Sequence, residues 1–402
     1  MILMPETELK IEILTRGVNF SKAALLLASQ FNAKGQNLVY NAPKGYIAGR
    51  PQELFLTFDN YTTVVSCVSS HGLSEPVLID VNSYGQLFCT ITDEVVYKDV
   101  LIEFVPEPDY YNRKTSDGDF AKKYISACGY DELNIIPWKG CLISSICKFC
   151  GANNVAIQNP SDALHASHIA KDNHPWINVR DNYLKNLTES IRFALDSSCY
   201  DEHMHVILIS GNLPNNQLDL QSDIYADIAA TIHPLLKDRA TEGLIAVISP
   251  PHDVKRLQLL KDSGIEIVVF NLEVANDPWF TKYCPGKSKL GRDFFIERLK
   301  QSVDIFGYGK SWTNFVLGLE PVNKLLSVCQ DLARFGIVSS ANVLHLDEGN
   351  RLDCVPPTKQ QVIDFFYELS LINEQHNFSA FYCSKALRTS LSNEFQDKRY
   401  IL

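Results

Sequence analysis

Residues 243–272 read GLIAVISPPHDVKRLQLLKDSGIEIVVFNL. An apolar run breaks at Pro250-Pro251, an amphipathic stretch follows, and a Ser263-Gly264 turn leads into a second apolar run. The two runs, 243–249 and 265–272, predict strands, and 253–263 predicts the helix between them. Parallel strands buried on both faces are nearly continuous in apolar residues and need a crossover helix, which is what this unit supplies.

The same unit recurs outward from it. Further strands are expected at 133–137, 205–211, 313–319 and 338–345, and further helices at 181–196, 222–236, 292–306, 321–335 and 359–376. This α/β pattern predicts six strand–helix units, hence a partial (β/α)6 TIM-like barrel, because a closed barrel of this type has eight. An open doubly wound sheet is the other choice. Both build their sites from loops at the carboxyl ends of the strands.

Ahead of this region the pattern differs. Runs at 54–58, 62–68, 76–81, 87–91 and 100–105, rich in β-branched and aromatic residues, predict strands, and 21–31 predicts a helix capped by Ser21. The expected organisation is a mainly β accessory domain over 1–130, serving as cap or substrate recognition unit. The barrel follows over 131–350 and a C-terminal helical extension over 351–402. The proline-containing stretch 106–120 is expected to be the linker out of the first domain.

Of the 402 residues, 46% are hydrophobic and 21% charged, as in ordinary globular chains. With 37 basic against 47 acidic residues the formal net charge is −10, which argues against a broad nucleic-acid or anionic-membrane surface. The opening MILMPETELK lacks a basic segment followed by an apolar one. No apolar run approaches the roughly 20 residues that span a bilayer. A soluble, cytoplasmic protein is expected, with neither nucleic acid nor membrane as a partner.

Eleven cysteines are spread over a chain too long to need disulfide staples. One cluster stands out, Cys141-Leu-Ile-Ser-Ser-Ile-Cys147-Lys-Phe-Cys150, just after the first strand of the β/α region. Three thiolates at C-x5-C-x2-C can converge on one metal centre, and soft donors suit zinc or an iron–sulfur cluster. A closed zinc site needs a fourth ligand, for which Cys128, His165 and His168 are candidates. Three unrelated buried cysteines is the plainer alternative.

With Phe149 just before its third cysteine, this loop resembles that of the radical S-adenosylmethionine (SAM) superfamily. The usual spacing there is C-x3-C-x2-C, so the first gap here is two residues longer. Other stretches carry the likeness further. Ser210-Gly211-Asn212 matches the position of the Gly-Gly-Glu-like run that binds the methionyl amine of SAM, with an amide in place of the acid. The strand 264–273, GIEIVVFNLE, is similar to the biotin-synthase-like branch, with Asn271 and Glu273 as its polar pair and Glu273 facing the ribose hydroxyls. Arg298, in Glu297-Arg298, resembles an arginine that clamps the SAM carboxylate. A solvated helix face is its plain alternative. Gly318 is similar to a strand glycine that lets adenine approach the backbone.

The resemblance implies a [4Fe–4S] cluster on Cys141, Cys147 and Cys150, with SAM bound at the open iron. It implies reductive cleavage of SAM and hydrogen abstraction from a small-molecule or peptide substrate, in a biosynthetic setting. An electron donor such as flavodoxin or ferredoxin is implied too. The reading from another class is a zinc-stabilised, non-catalytic ligand-binding protein. Among the remaining features, His165, His168 and His174 are candidates to line the substrate cavity, and Gly307-Tyr308-Gly309-Lys310-Ser311 reads as a turn, since it lacks the first glycine of a phosphate loop.

Overall fold

The computed structural model describes residues 1–35, 49–70, 72, 74–129, 131–152, 164–170, 175–199, 204–236, 239–240, 243–346, 352–379 and 387–402. Among these, eight short strands precede residue 125: β1 (Ile2–Leu3), β2 (Val18–Phe20), β3 (Glu53–Phe58), β4 (Tyr61–Ser66), β5 (Val77–Val81), β6 (Leu87–Ile91), β7 (Glu94–Val96) and β8 (Leu101–Phe104). They form two small sheets, β2-β5-β6-β7 and β4-β3-β8, while β1 pairs elsewhere. Two helices accompany them. Lys22–Gln30 is capped by Ser21, whose hydroxyl accepts from the Ala24 amide at 3.0 Å. Pro5–Arg16, not foreseen from the sequence, starts at a proline and stops at Gly17.

The large sheet contains β9 (Ile125–Cys128), β10 (Glu132–Ile135), β11 (His205–Ile209), β12 (Leu244–Val247), β13 (Ile267–Val269), β14 (Ser311–Leu317) and β15 (Ile337–Val343). Their spatial order is their chain order, β10 to β15 run parallel, and β9 is an antiparallel edge. Each crossover therefore steps one place in the same direction, and helices Pro175–Leu195, Leu218–Leu236, Lys255–Asp262, Arg292–Phe306 and Val322–Ala333 lie in the connections. The doubly wound alternative needs a reversal of strand order, which this sheet lacks. Its two edge strands do not pair with one another, so among the described strands the sheet is open.

Side-chain alternation gives the sheet two kinds of face. Leu133, Ile135, Val206, Leu208, Ala246 and Val268 are fully or almost fully buried in the core. Their neighbours Asn134, Ile207, Ile209, Ile245, Val247 and Val269 line a cavity instead.

The chain's two ends meet. β16 (Tyr400–Ile401) pairs antiparallel with β1, and the buried Lys10 ammonium donates to Glu394 at 2.6 Å and to the Leu387 carbonyl at 2.7 Å. Residues 387–389 then bridge two sheets: Ser66 donates to the Arg388 carbonyl at 2.9 Å, and Val343 to the Thr389 carbonyl at 2.7 Å. Contacts thus cross both expected domain boundaries, and β9, ahead of the first of them, joins the large sheet. The stretch expected to be a linker is docked rather than free. Tyr110 and Tyr111 are buried, and Asp117 accepts from Lys185 at 2.6 Å and Asn186 at 2.9 Å. Two adjacent aromatic rings are too apolar to leave in solvent, which is why this proline-containing segment packs down. Among the described residues no helix is long and apolar enough to cross a membrane.

Candidate functional site

The cysteine loop follows β10 and is clamped from two sides. Toward β11, Leu142 donates to the Asn212 carbonyl at 2.7 Å, the Asn212 amide donates to Cys141 Sγ at 3.3 Å, and Trp138 Nε1 donates to the Gly211 carbonyl at 2.7 Å. A Cβ on Gly211 would lie 2.2 Å from the Gly140 carbonyl oxygen and 2.7 Å from Cys141 Cβ, so only glycine permits this approach. On the other side Lys148 donates to the Tyr283 carbonyl at 2.9 Å, and a Cβ on Gly286 would sit 2.2 Å from the Ser145 carbonyl oxygen.

Held this way, Cys141, Cys147, Cys150 and Phe149 line one cavity of about 400 Å³. Burial pushes the Cys141 thiol up and the Cys150 thiol up to about 12. Cys147 is raised well above the ordinary range, first by its hydrogen bond with the buried Cys284 and then by burial. Thiols in such surroundings stay protonated until a positive centre arrives to offset desolvation, so the donor set fits a bound metal centre. Among the described residues no three Cys, His, Asp or Glu side chains close around a single-ion position. Cys128 lies at the other end of β10, hydrogen-bonded by Asn134 Nδ2 at 3.3 Å.

Next to Gly286, Lys287 forms an ion pair with Glu273 at 2.8 Å, and Lys287 Nζ also donates to the Asn271 carbonyl at 2.6 Å. Burial acts to lower the Lys287 pKa, but the adjacent Glu273 carboxylate outweighs it, and the net direction is up. Glu273 holds a left-handed backbone, φ 69°, pinned by its amide donating to the Asn314 carbonyl at 3.0 Å and its carbonyl accepting from Val316 at 2.8 Å. Such a conformation is uncommon for a non-glycine residue and concentrates at functional sites. It turns the chain out of β13 so that the carboxylate meets Lys287.

No protein-family model matches the chain. A curated relative, the bacteriochlorophyllide c C-7(1)-hydroxylase of Chlorobaculum limnaeum, is 27% identical over 177 residues, 43% of this chain and 43% of that protein. The match thus spans less than half the relative's length. Among solved structures, a radical SAM methyltransferase from Sphaerobacter thermophilus superposes with a TM-score of 0.39 at 12% identity, covering 79% of this chain and 82% of that one. Coproporphyrinogen III oxidase (HemN) from Escherichia coli, a radical SAM enzyme, gives 0.35 at 16% identity over 58% of this chain and 50% of its own.

Most residues singled out by the radical SAM resemblance meet at this cavity. Ser210, Gly211, Asn212, Asn271 and Glu273 line it together with the three cysteines and Phe149. Arg298 and Gly318 do not. Arg298 Nε donates to the Pro251 carbonyl at 3.0 Å, Nη2 to the His252 carbonyl at 2.6 Å and Nη1 to Gln301 at 2.6 Å, with the group stacked 5.2 Å over the Phe294 ring. The face of Arg292–Phe306 that carries it looks at the loop after β12, and that geometry argues against a carboxylate clamp. Gly318 is held small by packing, since a Cβ there would meet Pro357 Cδ at 2.9 Å and Leu344 Cβ at 3.3 Å.

His165 caps a short helix through Ser167, and its Nε2 lies 2.8 Å from where a Cβ on Gly140 would be. Neither it nor His168 is among the cavity-lining residues; His174 lies outside the described residues. Lys287, Cys284 and Arg388 went unnoticed in the sequence. The only local signal for the first two is Cys284-Pro285-Gly286-Lys287, a proline-started turn carrying a thiol and a cation.

Proposed function

We propose that this chain is a radical SAM enzyme whose sheet forms a partial (β/α)6 barrel, with a [4Fe–4S] cluster on Cys141, Cys147 and Cys150 and SAM beside it. The observation that carries this reading is that the three thiols of one loop face the same cavity as the buried Glu273–Lys287 pair. Sequential strand order supports the barrel, because crossovers that all step one way curl a sheet around one face. When bound, the cluster supplies an electron that cleaves the sulfonium of SAM, giving a carbon radical able to take hydrogen from a substrate.

The chain's own groups position and shield. The Ser210–Asn212 backbone offers polar atoms beside Cys141, where the amino acid part of SAM would lie. Lys287 supplies the cation for its carboxylate in place of Arg298, and Glu273 accepts from ribose hydroxyls. The aliphatic wall of Ile207, Ile209, Ile245, Val247 and Val269 keeps water from the reacting atoms. The relative named as a hydroxylase supports a C–H bond of an organic substrate as the target. An electron donor such as flavodoxin or ferredoxin completes the scheme.

Anaerobic reconstitution tests it. The wild type should bind about four irons and four sulfides per chain and release 5′-deoxyadenosine from SAM on reduction. Cys141→Ala, Cys147→Ala and Cys150→Ala should each lose the intact cluster, whereas Cys284→Ser should keep it. Stoichiometric zinc without sulfide would establish the zinc-stabilised alternative instead.

A further inference from the structure

We infer that the end of the cavity remote from the cysteine loop is a carboxylate-binding subsite centred on Arg388, and that the substrate is an apolar molecule carrying a carboxylate there. This rests on the proposed reading of the cavity as the substrate chamber. Cys128, Glu132, Asn134 and Arg388 line it near the amino end of β10, while the cysteine loop follows the carboxyl end of that strand. Aliphatic side chains of β11, β12 and β13 lie between. A ligand spanning this space is apolar along its length.

The polar groups at this end differ in what they have left to offer. Glu132 already accepts from Asn134 Nδ2 at 2.8 Å, pairs with His205 Nε2 at 3.5 Å and is hydrogen-bonded to the Cys128 thiol. Glu53 pairs with Lys34 and accepts from the Gly129 amide at 3.3 Å. Arg388 is the exception. Its Nη1 is buried and has no hydrogen-bond partner among the described residues, with Glu53 Oε2 3.9 Å away, too far for a hydrogen bond.

A buried guanidinium donor left unmatched is costly, and a ligand oxygen in the cavity relieves that cost. The side chain is 11% exposed, and the segment that carries it is fixed on both sides by the Ser66–Arg388 and Val343–Thr389 backbone bonds. The donor is therefore preorganised. Lys34 lies against Glu53 and His205 against Glu132, so each of the two neighbouring carboxylates already has a partner of its own. A planar carboxylate matches the guanidinium fork, whereas an alcohol offers one oxygen and an ammonium offers no acceptor.

The test uses matched chains, octanoate, octan-1-ol and octylamine, titrated calorimetrically into anaerobically reconstituted full-length protein. Octanoate should bind about tenfold or more tightly than octan-1-ol, the gain expected of one charge-assisted hydrogen bond, and octylamine most weakly. Arg388→Gln should erase the preference, and Arg388→Lys should keep part of it. Equal affinities for octanoate and octan-1-ol in the wild type would overturn the subsite without recourse to any variant, as would a preference undiminished in Arg388→Gln. Iron and sulfide are measured on the same samples. A carboxylate preference in protein that cannot assemble a cluster would overturn the radical SAM reading and leave the subsite standing.

Discussion

Lys287 Nζ lies 2.8 Å from Glu273 Oε1, and the lysine side chain is only 7% exposed and the glutamate 16%. Neither charge has much water to fall back on. The pair therefore ties the short helix Pro285–Ser288 to the left-handed turn after β13. The helix abuts the cysteine loop through Gly286 against the Ser145 carbonyl, and Glu273 lines the same cavity as Cys147.

Breaking one half of this pair should be worse than removing both. Lys287→Met leaves a buried carboxylate without its cation and should cost about 3–5 kcal/mol of stability. In the double variant Lys287→Met/Glu273→Met no charge is stranded, and part of that loss should return. Urea unfolding of the protein without cluster measures it directly. Additive losses would show that the two residues do not act as a pair. On the functional side, Lys287→Met should also weaken SAM binding to reconstituted protein.

Gly211 offers a sharper probe of the cysteine loop, because it touches that loop without supplying a ligand. Gly211→Ala places a methyl 2.2 Å from the Gly140 carbonyl oxygen and 2.7 Å from Cys141 Cβ, both of which must move. Overpacking of this kind costs about 1–3 kcal/mol, small enough for the chain to fold. The variant should give a normal circular dichroism spectrum and lose most of its iron on reconstitution. Full iron content would mean that the loop is free to shift away from β11.

Legibility in the sequence followed the physical signal each element carries. β11, β12 and β13 could be read because they are almost purely apolar. β10, β14 and β15 carry Asn, Thr or Ser toward the cavity and were legible from the apolar residues between these and from the helices that follow, which carry one apolar stripe. The cysteines could be read because three soft ligands in one loop are rare. The helix Pro5–Arg16 escaped because it is buried nearly all round, with Glu6, Lys10 and Glu12 inside, so no stripe separates two faces. Lys287 sits on a helix of four residues, too short to show any period. Arg388 lies in an irregular bridge between two sheets, and its placement depends on β4 and β15, which are distant in sequence.

Arg298 shows where such reading stops. Periodicity tells which residues of Arg292–Phe306 share a face, but not which loop that face meets. In the structure it meets Pro251 and His252, and all three guanidinium nitrogens are engaged, two by backbone carbonyls and one by Gln301. A guanidinium used this way is committed to the loop after β12 and to its own helix, and it is not among the residues lining the cavity. Arg298→Ala should therefore lower stability by about 1–3 kcal/mol, through two unmatched carbonyls and the lost contact with Phe294. SAM affinity, measured by calorimetry on reconstituted protein, should stay within about twofold of wild type, a change of under 0.5 kcal/mol. Lys287→Met, by contrast, should weaken it by about tenfold or more, as expected when a charged hydrogen bond is lost. A tenfold loss in Arg298→Ala at unchanged stability would reverse the assignment, returning the carboxylate clamp to Arg298 and leaving Lys287 as a structural tie.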